Sequence, residues 1–164
     1  MKRFLFYVIT LLAGLWLQLL LHHTLGENRI ASQGLLVGVI YWGLSRGPIA
    51  GQLIGFFWGL LLDAASMGTL GMTAWLWTLA GFVSGTWRRE LDETKIWTQS
   101  IFTFILSASL AILGILLERL WLPGNHSGVW ARALEPFWNA AIAPVVFRVL
   151  WAWDTLWDMR EVES

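Results

Sequence analysis

Cysteine is absent from the 164-residue chain, which excludes a disulfide framework and any thiolate metal site. Charge is scarce as well: 13% of residues are charged, against roughly 25% in soluble domains. The charges sum to zero, so the net charge identifies no class of partner, and no nucleic-acid partner is expected. Histidine is limited to His22, His23 and His126, all expected at the outer surface. Adjacent His22 and His23 point in different directions in any regular structure, so joint ligation of one metal is not expected. Catalytic patterns are missing too. Ser84, in Val83-Ser84-Gly85-Thr86, has no GxSxG context and no embedded histidine to act as its base. The acids nearest to Asp63, Glu118 and Glu135, lie at span ends and make no facing pair. No catalytic residue, metal site or cofactor is expected.

What is present is apolar. Hydrophobic residues make up 57% of the chain, 13 residues are tryptophan, and long blocks such as 4–21 and 101–117 approach the ~20 residues that cross a ~30 Å hydrocarbon layer. A water-soluble fold of this size cannot hide that much apolar surface. The chain is expected to be an all-α polytopic membrane protein, residues 1–164 forming a single integral membrane domain. The block at 4–21 follows Met1-Lys2-Arg3, but it exceeds the usual length of a secretory h-region and no small-x-small cleavage site precedes His22. It reads as an uncleaved first span.

With Gly, Pro and charge as punctuation, the candidate spans are 4–21, 30–46, 48–67, 72–87, 97–121 and 130–152. The segment 30–46 carries the weakest signal, because only 34–44 is strongly apolar. Charge decides whether it crosses. Six spans with a cytoplasmic N-terminus place eight basic residues inside and three outside; removing this crossing gives four inside and seven outside, against the positive-inside tendency. Six transmembrane helices in one bundle, with both termini cytoplasmic, are therefore expected. Trp42, Trp87, Trp97, Trp121, Trp130, Trp151, Trp153 and Trp157 fall near span ends, where indole keeps its ring apolar and its N–H wet. Trp16, Trp58, Trp75, Trp77 and Trp138 lie deeper and read as packing or lipid contacts.

The stretch GQLIGFFWGLLLDAASMGTLG, residues 51–71, sets an acid after twelve uncharged residues. Gly47, Gly51, Gly55, Gly59 and Asp63 recur every four residues, a spacing that drifts only slowly around a helix. They predict a continuous groove into which a neighbouring backbone fits closely. The span carrying them is expected to be central. From Ile49, a rise of ~1.5 Å per residue puts Asp63 ~21 Å along, still within the hydrocarbon zone. Such an acid needs a partner. One reading makes Asp63 a proton or ligand site; the preferred one makes it a helix-locking acid that binds Arg119 or Arg132, Ser66 or a freed backbone N–H. Ser66, Gly68, Thr69 and Gly71 read as a tight break. Pro144 should kink the last span, with Asn139 hydrogen-bonding a freed carbonyl or a neighbouring helix. Glu118-Arg119 reads as an interfacial snorkelling pair. The loop Arg88-Arg89-Glu90-Leu91-Asp92-Glu93-Thr94-Lys95 reads as solvated.

SRGPIAGQLIGFFWGLLLDAASMGTLGMTAWLWTLAG, residues 45–81, resembles the central signature of the rod shape-determining MreD family, with Gly59, Leu60, Leu61, Asp63, Gly68, Leu70 and Gly71 at the matching positions. LEPFWNAAIAPVVFRVLW resembles that family's final helix through Pro136, Asn139, Ala143 and Pro144. One departure is the segment IYWGLSRGP around Ser45, which lacks an inner-end acid found in many relatives. The resemblance implies a non-enzymatic scaffold of the cell-elongation machinery in the bacterial cytoplasmic (inner) membrane. It also implies action beside MreC, linking MreB filaments to the wall-building glycosyltransferase and transpeptidase, and a fold similar to the substrate-binding subunits of energy-coupling-factor vitamin transporters. Such a transporter subunit is the rival reading, but the outer loops are short, no dense polar cluster is present, and the first span has Ala13 without repeated small-xxx-small alanines. Membrane lipids are the remaining expected partner.

Overall fold

A computed structural model describes residues 30–65, 70–91, 95–121 and 129–162. The span 4–21 with Ala13 and Trp16, the histidines, and Ser66, Gly68 and Thr69 of the expected break lie outside the described residues, as does 92–94. The described residues are all helical, without strands: α1 (Ile30–Arg46), α2 (Pro48–Ala65), α3 (Met72–Thr86), α4 (Ile96–Trp121) and α5 (Val129–Val162), with a 3₁₀ turn at Trp87–Arg89. Among the described residues three helices are long and apolar enough to cross a membrane, over Pro48–Ala65, Ile96–Leu120 and Arg132–Thr155, while Gly34–Arg46 is a shorter apolar helix. At 15 residues, α3 extends only ~22 Å.

Helix ends follow local chemistry. Gly47 separates α1 from α2 with φ 93°, the left-handed region that a side chain rarely adopts, and its N–H donates to the Gly43 carbonyl at 2.8 Å. Pro48 then opens α2, where its missing N–H costs no helical bond. The fourfold spacing suggested that Gly47 begins the helical row. It is instead the break, and the row within α2 starts at Gly51. Helix α5 contains both Pro136 and Pro144.

The centre of the bundle is α1, which packs on α2, α3 and α5. Val37, Val39 and Ile40 are fully buried, and Tyr41 packs edge-to-face on Phe147 of α5, with ring centroids 5.4 Å apart. This reverses the sequence expectation that the glycine-rich span is central. One face of α2 is buried, but Leu53, Phe56, Phe57, Leu60 and Leu61 are exposed on the other. A glycine row admits one close neighbour, whereas a central helix needs apolar groups on every side, as residues 35–44 provide. Trp42 is corrected for the same reason: expected at a wet boundary, it is 1% exposed.

At one end of the bundle Arg46 of α1 donates to Asp154 of α5 at 2.5 Å, with its guanidinium carbon 5.5 Å from the centre of the Trp42 ring. The pair is only partly buried, so solvent screening reduces its worth to roughly 1–2 kcal/mol. Asp154→Asn is expected to lower the melting temperature in detergent by a few degrees, about 2–4 °C per kcal/mol at this size. An unchanged melting curve would show that the pair does not hold α1 to α5.

Candidate functional site

The most extensive helix contact is between α2 and α3, and it is made largely by backbone. The helices run antiparallel, joined by a short connection. A Cβ placed on Gly51 would overlap the Gly81 carbonyl; on Gly55, the Trp77 carbonyl; and on Gly59, the Ala74 backbone. In the reverse direction, a Cβ on Gly81 would strike Gly51, and one on Gly85 would strike Pro48. The helices therefore meet along their length with no room for one added methyl. Near its Pro48 end the seam includes α1, because the Gly51 position also lies against the Gly43 Cα. A Cβ on Gly43 would overlap the Ser84 hydroxyl, which is fully buried and donates to the Gly81 carbonyl at 3.1 Å. Such closeness suits a membrane interior, where helices associate through packing.

Asp63 closes the seam. It is 4% exposed, and its carboxylate accepts hydrogen bonds from the first turn of the next helix. The N–H of Gly71 donates to Oδ2 at 2.9 Å, that of Thr73 to Oδ1 at 3.2 Å and that of Ala74 to Oδ2 at 3.1 Å. The opening N–H groups of a helix have no partner within it, and the helix dipole favours negative charge there. In hydrocarbon the same N–H groups cannot turn to water. Asp63 therefore does from the end of α2 what an N-cap residue does locally. Gly71 at the cap position has φ 91° and offers no side chain, so the acceptor has to come from elsewhere.

Of the partners expected for Asp63, the structure places backbone N–H groups against it. Arg132 instead pairs with Glu118 across α4 and α5. Glu118 thus has its partner on another helix, while Arg119 is exposed in the last turn of α4. Asn139 is 1% exposed, and its carboxamide oxygen has no hydrogen-bond partner among the described residues. Pro144, five residues further along α5, is half-buried. Of the deep tryptophans, Trp58 and Trp77 are buried, Trp58 lying over Gly38 of α1, whereas Trp75 and Trp138 are half-exposed.

Sequence reasoning missed the α3 side of the seam. Ala74, Trp77, Gly81 and Gly85 recur every three or four residues on the buried face of α3, the spacing that singled out the α2 row. Asp154 was missed as well. Among the described residues no three His, Cys, Asp or Glu side chains group as metal ligands.

Comparison with curated proteins and with solved structures returned no match. The family profile described as rod shape-determining protein MreD matches residues 1–153, nearly the whole chain and all of the α2–α3 seam. The chain belongs to the rod shape-determining MreD family.

Proposed function

We propose that this chain is a non-enzymatic scaffold of the cell-elongation machinery. It sits in the bacterial cytoplasmic membrane with six spans and both termini in the cytoplasm. There it acts beside MreC and connects MreB filaments with the glycosyltransferase and transpeptidase that build the wall. The observation that carries the reading is the family match over residues 1–153, which makes rod-shape determination the role of the chain. The use of its polar groups supports the scaffold part. The conspicuous buried acid, Asp63, is engaged by three backbone N–H groups of its own chain, an arrangement suited to fixing two helices.

The test is affinity purification of the tagged protein from native membranes in mild detergent, with mass spectrometry of polypeptides and small molecules. Recovery of MreC and wall-synthesis enzymes, without a stoichiometric small molecule, is expected. A bound vitamin together with an energising transporter subunit would overturn the reading in favour of a transporter role.

A further inference from the structure

Arginines elsewhere in the structure are either paired or placed at helix ends. Arg46 pairs with Asp154 and Arg132 with Glu118. Arg88 and Arg89 occupy the 3₁₀ turn after α3, and Arg119 lies in the last turn of α4. Arg148 differs. It lies within the apolar segment Arg132–Thr155 of α5, seven residues before its end, or ~10 Å along the helix from that end at ~1.5 Å per residue. It is exposed and makes no ion pair among the described residues. Its exposed neighbours on the outer face of α5 are apolar: Phe137, Trp138, Ala141, Val145, Val149 and Ala152.

A lone cation on a lipid-facing helix surface is costly and is expected to reach the interface or a counter-charge. Helix direction disfavours the first route. Side chains on a helix lean toward its N-terminus, and for Arg148 that direction runs toward the Arg132 end, away from the nearer end at Thr155. Among the described residues no spare carboxylate lies beside Arg148 on α5 or on the helices packed against it. Asp154 is bound by Arg46, Asp63 by the start of α3, and the segment 4–21 contains no acid.

We propose that the outer face of α5 around Arg148 is an interface for a membrane-spanning helix of a partner protein, and that this helix carries an Asp or Glu within its apolar stretch to pair with Arg148. The proposal rests on the scaffold reading, since it needs a protein partner in the membrane, and it adds the surface and the partner's chemistry. Charge complementarity selects the occupant: an apolar helix fits the face, and its one carboxylate answers the one cation.

The test places a photoreactive phenylalanine analogue at Val149 in the full-length chain and irradiates intact cells. The expected adduct joins the chain to a polypeptide with an acid inside an apolar span. Arg148→Leu should lower its yield by at least about tenfold, Arg148→Lys should keep most of it, and neutralising the partner's acid should reproduce the loss. Arg148 is exposed, so an unchanged melting temperature for Arg148→Leu checks folding; should it melt early, Arg148→Gln takes its place. Adducts with lipid alone, an adduct with a second copy of this chain, or a yield that Arg148→Leu leaves unchanged would overturn the proposal. Because the copurification experiment leaves Arg148 intact, its success alongside a failure here would remove this interface and keep the scaffold.

Discussion

Gly55→Leu and Gly59→Leu are each expected to separate α2 from α3 and to abolish recovery of MreC with the purified protein. The positions opposite these glycines are backbone, the Trp77 carbonyl and the Ala74 Cα, and backbone cannot rotate aside as a flexible side chain can. Even well-tolerated insertions into packed interiors cost about 1–3 kcal/mol. A whole isobutyl group against a neighbouring helix axis exceeds that range, so the helices must part. Parting would also draw Asp63 away from Gly71, Thr73 and Ala74. Gly55→Ala should show a smaller effect in the same direction, because one methyl already overlaps the Trp77 carbonyl. Normal copurification of MreC with both leucine variants, at wild-type abundance in the membrane, would sink the groove argument.

Asp63 should show a graded response, with Asn retaining much of the function and Leu losing it. An Asn carboxamide has one acceptor oxygen. Placed where Oδ2 lies, it keeps the bonds from Gly71 and Ala74 and gives up the one from Thr73. Leu gives up all three and leaves the N–H groups in an apolar setting, where each unsatisfied group costs about 1–3 kcal/mol. The expected losses are thus about 1–3 kcal/mol for Asn and several times that for Leu, read as melting temperature in detergent and as MreC recovery. Equal losses in both variants would mean that the charge is essential, pointing back to the proton or ligand reading.

Local signals carried much of the helical layout. Pro48, the glycines around it and the charges after Thr86 delimit helices within a residue or two of the expected spans. Among the described helices the exception is the last, where α5 continues to Val162, well beyond the expected end at 152. The α2 row and its acid were legible because both sit on one helix with a fourfold repeat. The centre of the bundle was not. Segment 30–46 is shorter and carries the weakest span signal, yet it is enclosed because α2, α3 and α5 all pack on it, and enclosure is a property of neighbours that a single segment's hydropathy does not encode. The pairs Arg46–Asp154 and Arg132–Glu118 were hidden for a related reason. Arg46 and Asp154 are 108 positions apart, and helix periodicity relates only residues within a few turns. By contrast, the α3 strip of Ala74, Gly81 and Gly85 was readable with the rule already applied to α2, and Ser84 beside it was weighed only for catalysis.

Rod-shape determination by this chain is expected to depend on the α2–α3 seam. Its most direct test is cell shape in the host after depletion of the native protein, with wild-type chain or Gly59→Leu supplied at equal abundance in the membrane. Rods are expected with the wild type and rounded cells with Gly59→Leu. Rods sustained by Gly59→Leu would contradict that dependence.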